Sequence, residues 1–330
     1  MTTMKLMYLN MTSRVTLGKV LLKNISGFEI NENILEMSNT AKITIPRNFA
    51  KLAGKPVLTQ FAVGDKMKIE CGYYTDNINE ATFDIEFTGY IREIESDFPL
   101  IIHCEDDSYV LRQTSFIKSY KAATLKQILT DIIPKSVTFE CPDVNIGKYH
   151  IDKASAYAVL NDLVKDYGLY SRLNNGHLKV GLAYDFVGKS KVHEYQIRAN
   201  VKQNELKYKR KEDFKMRFKA VATNPNGKKT TVTLGSNETN ASERTLNFAG
   251  PMTEAQLKEA ARGVMAKLVY DGYTGTISGF GTPRTHAGDA LKLIDRDEPE
   301  RAGTYLIEKV DITYNDSDGF QRKNTLSYKV

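Results

Sequence analysis

The run Gly64-Asp65-Lys66-Met67-Lys68-Ile69 has an echo near the other end of the chain, Gly288-Asp289-Ala290-Leu291-Lys292-Leu293. Each copy opens on a Gly-Asp turn and continues as a strand of period-2 alternation, with one face buried and the other wet. The first copy is followed by Gly89-Tyr90-Ile91-Arg92-Glu93-Ile94, the second by Gly303-Thr304-Tyr305-Leu306-Ile307-Glu308. Two related β domains in one chain would produce this pattern. So would two unrelated antiparallel β domains, which share such turns and alternation, and pattern alone leaves both open.

The rest of the chain falls into three stretches. Up to about residue 117 the alternation continues: Met67, Ile69 and Cys71 against Lys66, Lys68 and Glu70, then Phe83, Ile85 and Phe87 against Asp84, Glu86 and Thr88. A helical turn is expected at Asn48 to Ala53. From Tyr120 the spacing becomes helical, with Leu125, Ile128, Leu129 and Ile132 on one face, Thr124 as N-cap and Pro134 beyond the end. A second helix is expected from Ala154 to Tyr167, closed by Gly168. Asn174-Asn175-Gly176 between apolar runs signals a hairpin. After residue 196 alternation returns, as in Phe214, Met216, Phe218 and Ala220 against Lys215, Arg217 and Lys219. A turn is expected at Asn224 to Gly227, a strand at Lys228 to Leu234, a helix at Thr253 to Tyr270, and a last hairpin turn at Asp318-Gly319. The expected class is α+β, mainly β. It comprises an antiparallel β unit over 1–117, a small α/β insert over 118–195, and a second β unit over 196–330 that carries the helix 253–270.

Composition excludes several classes. The 330 residues are 41% hydrophobic and 26% charged, enough for packed cores and a prior of about two domains. The strongest apolar runs, such as Val20-Leu21-Leu22 and Pro99 to Ile102, are far short of the ~20 residues of a membrane span. The N-terminus has no apolar block of the kind a signal peptide carries. Cys71, Cys104 and Cys141 are odd in number and widely spaced, which suits neither a disulfide framework nor a metal pair. A protein made in a reducing cytoplasm, with no membrane insertion, is expected. The net charge of +6 is small for this length and names no partner.

Candidate chemistry is sparse. Gly181 to Ser190 ends in Gly-Lys-Ser, but Ala183 stands where a phosphate loop needs Gly, so a polar turn is the better reading. Asn315-Asp316-Ser317-Asp318-Gly319 looks like a calcium loop but has Tyr314 at the first ligand position and Thr325 at the last. The acidic run Asp295, Asp297, Glu298 and Glu300 reads as a solvated loop. The five histidines form no HxxxH or HExxH spacing, and His103 and Cys104 are strand neighbours that point to opposite faces. Glu105, Asp106 and Asp107 include candidates for half of a glycosidase pair, without a visible partner. Arg198 to Lys219 holds nine basic residues against three acids, with aromatics interleaved. Alternation puts its bases and aromatics on opposite faces, which favours a strand's wet face or a docking surface over a nucleic-acid site. No catalytic, cofactor-binding or metal-binding residue is assigned, and no cofactor is expected.

The order of these segments resembles a known family. Val63-Gly64-Asp65 to Gly72-Tyr73, followed by Phe87-Thr88-Gly89-Tyr90-Ile91, is similar to the first barrel of the baseplate hub proteins of contractile phage tails. These include the late control protein D family and the N-terminal hub part of VgrG in type VI secretion. Ala123-Thr124-Leu125 to Ile133, Tyr149 to Gly168 and Asn175-Gly176-His177-Leu178 are similar to that family's insert. Ala287-Gly288-Asp289 through Gly303-Thr304-Tyr305 to Leu326 is similar to its closing barrel. The resemblance implies two tail-tube-like β-barrels per chain and a homotrimer whose six barrels form a pseudo-hexameric ring. Its implied partners are a tail tube protein, a spike protein and other baseplate proteins, with DNA or effector passing the lumen without specific binding. It implies no enzymatic activity, and a location in a virion tail baseplate or a cytoplasmic injection apparatus. Because the sequence stops at Val330 right after a barrel-like strand, the spike is expected to be a separate protein. The alternatives are a cell-wall polysaccharide or peptidoglycan hydrolase using Glu105 or Asp297, and a nucleic-acid or carbohydrate-binding module using Arg198 to Lys219.

Overall fold

Alternation along the strands decides which face of the molecule is core. The computed structural model describes residues 10–330 apart from 24, 47–50, 53, 75–80, 96, 98, 183–190, 214, 225–227, 250–251 and 300–301. The phosphate-loop candidate beyond Leu182, the turn at 225–227, Phe214 and Glu300 therefore lie outside the described residues, as does most of the helical turn expected at Asn48 to Ala53. The remainder of that turn is not helical: Lys51 and Leu52 pair with Lys55 and Pro56 around Gly54, whose φ of +78° makes the tight reversal.

Before the insert run β1 (Met11–Leu17), β2 (Val20–Lys23), β3 (Gly27–Asn33), β4 (Thr40–Ile45), β5 (Lys66–Tyr74), β6 (Ala81–Glu95) and β7 (Leu100–Glu105). Among their inward residues, Val15, Ile30, Ile43, Ile69, Ile91 and Ile102 are 0–2% exposed.

The insert has its own core. β8 (Ser115–Thr124) pairs with β10 (Asn145–Ser155), and β9 (Thr138–Glu140), β12 (His177–Gly181) and β11 (Tyr170–Asn174) form a second small sheet. α1 (Leu125–Ile132) opens on the expected Thr124 cap, reinforced by a capping box with Gln127. α2 (Ala156–Tyr167) is capped by Ser155 and closed by Gly168 at φ +66°. Asn175 and Gly176 take φ of +48° and +74°, both left-handed, as a two-residue hairpin turn between β11 and β12 requires. Leu125, Leu129, Leu160 and Leu178 meet in this core.

After the insert come β13 (Val192–Gln196) and β14 (Val201–Lys209). β15 (Met216–Thr223), β16 (Lys229–Gly235) and β17 (Ser242–Ala249) follow, then α3 (Glu254–Leu268) with its Thr253–Gln256 capping box. The chain ends in β18 (Gly272–Phe280), β19 (Ala290–Ile294), β20 (Gly303–Asn315) and β21 (Gly319–Lys329). The strands over 215–249, expected in the second β unit, pair only with one another among the described residues, in the order β16-β15-β17. Their small inward residues Ala220 and Ala222 leave room for α3, whose Leu257 and Ala261 complete a third core with Val232 and Phe248. Alternation in β15 marks a buried face but not what covers it.

The two β units are one sheet. Thirteen strands pair along the path β14-β18-β21-β20-β3-β4-β7-β6-β5-β1-β2, with β19 on β20 and β13 on β19. The units meet where Gly27–Asn33 of β3 runs antiparallel to Lys309–Asn315 of β20. A single apolar cluster runs beneath both, from Val15 to Tyr328. No helix of the described residues is long and apolar enough to cross a membrane.

The echo in the sequence is a structural repeat. At the first copy, the Gly64 amide donates to Ile91 O at 2.8 Å and Ile91 N to Asp65 O at 2.9 Å. At the second, Gly288 N donates to Ile307 O and Ile307 N to Asp289 O, both at 2.8 Å. In both turns the Asp carboxylate accepts from the amide three residues earlier, Ala62 N at 2.9 Å and His286 N at 3.0 Å. Gly64 and Gly288 sit at φ +93° and +96°, where any side chain is strained. Register follows: Met67 faces Gly89 as Leu291 faces Tyr305, and the ladder slips just after Ile91 as it does after Ile307. The true alignment therefore matches Gly89 with Tyr305, not with Gly303. Through these pairings β3, β4, β5, β6 and β7 correspond in order to β14, β18, β19, β20 and β21.

Candidate functional site

The acids singled out in the sequence are structural. Glu105 is fully buried and its carboxylate accepts from Arg112 Nε at 2.8 Å and Ser38 Oγ at 2.6 Å. The Arg112 guanidinium lies 3.2 Å from the centre of the Tyr157 ring, and the Tyr157 hydroxyl lies 3.1 Å from Ser38 Oγ, whose own proton goes to Glu105. The cluster fastens α2 of the insert to the end of β7, and both Glu105 oxygens are spent on it. Asp297 is ion-paired with Arg198 at 2.7 Å, and Asp295 accepts from Tyr273 OH and from the amides of Asp297 and Glu298. Asn315 folds the calcium-loop candidate into a hairpin turn by accepting from Ser317 N and Asp318 N.

Asp106 caps the short helical turn after β7 and accepts from Asn39 N at 2.7 Å and Ser108 N at 3.0 Å. Burial lifts its carboxyl to about 6, against the opposing pull of those donors. The folded chain then holds a proton that the unfolded chain, titrating near 3.8, has released. Stability is expected to fall as pH rises from about 4 to about 6, by ~1–3 kcal/mol, and to level off above. Thermal unfolding of the protein and of Asp106→Asn between pH 4 and 7 checks this: only the parent should show the decline.

The basic segment Arg198 to Lys219 is divided between two sheets. Lys202, Lys207 and Lys209 lie on β14, whereas Arg217 and Lys219 lie on β15. Lys215 pairs with Glu238 at 2.8 Å and Arg210 with Glu212 at 3.2 Å. Among the described residues the strand-borne bases of the segment are thus split between two separate sheets, and Arg210 and Lys215 are engaged in ion pairs.

What the sequence did not point to is the join between the β units. Along β3 and β20, Asn31 Nδ2 donates to Asp311 Oδ1 at 2.6 Å on the wet face. On the inner face Glu32 reaches the loop before β19, with His286 Nδ1 at 3.0 Å and Ala287 N at 3.1 Å. Burial would raise the Glu32 carboxyl, but the His286 ring and the Ala287 amide outweigh it and hold it below the ordinary range. Deeper in, Arg322 of β21 is 0% exposed and its Nη2 donates to Glu86 Oε2 of β6 at 2.5 Å. Its remaining nitrogens donate to Gly281 O and Thr285 O. Asn324 continues the network to Thr285 and Tyr195, and Gly281 N donates to Tyr73 OH at 3.0 Å. The available signal was the parity of β21: Arg322 and Asn324 share the inward phase of Phe320, Leu326 and Tyr328.

The outer face of the sheet crosses the join without a break. Near the join it carries Glu29, Asn31, Lys42, Asp311, Lys323 and Glu205, a mixture of polar and oppositely charged side chains. A groove of about 390 Å³ lies over the join between Asn31, Lys42, Arg92, His103 and Asp311. A separate apolar cleft of about 440 Å³ opens between α2 and α3, lined by Val164, Tyr170, Phe248, Met252 and Val264.

Neither a protein-family model nor a curated protein matches the chain. Solved structures do. A tail protein from Neisseria meningitidis is 18% identical at a TM-score of 0.60, with 96% of each chain covered. The 43 kDa tail protein of prophage MuSo2 from Shewanella oneidensis is 16% identical at a TM-score of 0.59, covering 96% of this chain and 98% of that one. A chain of the Francisella PdpA-VgrG complex is 11% identical at 0.56, with 96% of this chain lying on 52% of that one. The two-unit sheet with its α/β insert is thus the fold that phage tail proteins share with a chain of a VgrG complex.

Proposed function

We propose that this chain is a structural hub of a phage tail baseplate or related contractile injection system. Three copies close into a ring of six β units that joins the tail tube to a separate spike protein. The observation that carries this is the internal repeat joined edge to edge. A subunit with two near-equivalent units meets a sixfold partner with its units and a threefold partner with its chains. Its contacts around the ring are heterologous, each edge meeting a different edge, and rings arise from such contacts when the rotation closes. The mixed polar and oppositely charged surface over the join suits the wall of a lumen through which DNA or effector passes without being held. Glu105, with both oxygens engaged in the fold, disfavours a hydrolase, and the divided basic segment disfavours a nucleic-acid module.

Light scattering on the purified protein, alone and with its tube and spike partners, tests the proposal. The expected mass is three times the 37.2 kDa chain. A strict monomer at high concentration that binds neither partner would sink it.

A further inference from the structure

The repeat specifies how one copy meets the next. Pairings trace a chain of equivalences from the two Gly-Asp turns. Ile91 faces Cys104, which faces Ala41, which faces Ile30; Ile307 faces Leu326, which faces Gly275, which faces Leu206. So Leu206 of β14 stands where Ile30 of β3 stands, and Glu93 of β6 stands where Lys309 of β20 stands. Within the chain β3 is already docked on β20. Their counterparts have no such ladder: among the described residues β14 pairs in a sheet only with β18, and Glu93–Glu95 only with β7.

We propose that β14 of one copy adds antiparallel to the Glu93–Glu95 edge of the next copy. In the register of the in-chain join, Lys209 stands opposite Glu93, Tyr208 opposite Ile94 and Lys207 opposite Glu95. This rests on the ring assembly proposed above and names the contact that closes it. The register was set by the repeat and not by charge, yet both outward pairs bring a lysine to a glutamate. They take the place of Asn33 opposite Lys309 and of Asn31, which is hydrogen-bonded to Asp311. The inward pair has the right chemistry too. Ile94 and Tyr208 are each only partly buried at the rim of the core, and each would cover the other. Glu95 also meets His103 at 2.6 Å on its own chain, a contact on the exposed face that leaves the backbone edge clear. β6 is described as far as Glu95 and β20 as far as Asn315, so three facing pairs are assigned to the contact between chains where the in-chain join has seven. The shorter ladder leans more on its charges, which makes it salt-sensitive.

Paired cysteines test the register in the full chain, with the partly exposed Cys141 changed to Ser. Glu95→Cys with Lys207→Cys is expected to give a covalent, head-to-tail trimer on oxidation or with a short bis-maleimide. Glu95→Cys with Glu205→Cys, two residues out of register on the same face, is expected to stay uncross-linked. Glu93→Lys/Glu95→Lys and Lys207→Glu/Lys209→Glu should each weaken association at least tenfold, and combining all four should restore it. A trimer by light scattering that cross-links only in the shifted pair, or in neither, would overturn this contact while leaving the ring assembly standing. A chain that stays monomeric with its partners would overturn both.

Discussion

Glu86→Gln is expected to cost about 3–5 kcal/mol, a large share of the stability of any single domain. The reason is Arg322. Its guanidinium is 0% exposed and its charge is met by the Glu86 carboxylate, itself only 1% exposed, with Arg284 at 3.4 Å on the other oxygen. Removing the carboxylate leaves a buried cation with only neutral acceptors, Gly281 O and Thr285 O. The pair as a whole is worth much less than its breakage, because each ion also lost its water when the chain folded. Glu86→Gln combined with Arg322→Met should therefore recover most of the loss. Chemical denaturation of the two single variants and the double variant measures this. A loss below about 1 kcal/mol for Glu86→Gln would show that the two β units do not depend on the pair.

Gly89→Val is expected to be the other severe change, at about 3 kcal/mol or more. A Cβ at Gly89 would lie 2.1 Å from Glu105 O and 2.9 Å from Asp106 Cα, both backbone atoms. No side chain can turn aside to make room, so β6 and the end of β7 must separate. The repeat counterpart of Gly89 is Tyr305, which is fully buried without such a clash. Gly89 is thus required by the passage from β7 into the insert, through Glu105 and Asp106, and not by the sheet itself. The variant should lose the Ser38–Glu105–Arg112 cluster first. Hydrogen exchange at Ser108 to Arg112, rising before exchange in β20 and β21, is the measurement. Equal and simultaneous exchange in both would refute the local account.

Much of this was legible in the chain because it is local. Thr124, Ser155, Gly168 and Asn175-Gly176 mark helix and hairpin ends through hydrogen bonds or φ values that few residues satisfy. The Gly-Asp turns could be matched for the same reason: positive φ at Gly64 and Gly288 leaves almost no other residue a place there. What was not legible is partnership at long range. Alternation says that β3 and β20 each bury a face but not that they pair, and it gives no sign that β15 leaves the main sheet for α3. The alignment of the repeat slipped by two residues because glycine was matched to glycine, whereas the backbone ladder matches Gly89 to Tyr305. Arg322 and Glu86 were hidden because a strand's alternation treats a charged residue as outward-facing. Their positions become intelligible once a second charged strand is known to lie across from them.

β3 passes to β4 through the short connection Ile34 to Asn39, while their counterparts β14 and β18 are linked by everything from Arg210 to Asp271, including α3. Two units that agree hydrogen bond for hydrogen bond at their Gly-Asp turns are therefore unlike in outline at one matching corner. In a closed assembly that corner would alternate, bare and then bulky, around the rim. A partner seated on such a rim cannot settle one unit out of step, because the bulk it must clear recurs only at every second place. The long connection would act as a key: it fixes the angular phase of whatever docks there, a property that neither unit has by itself.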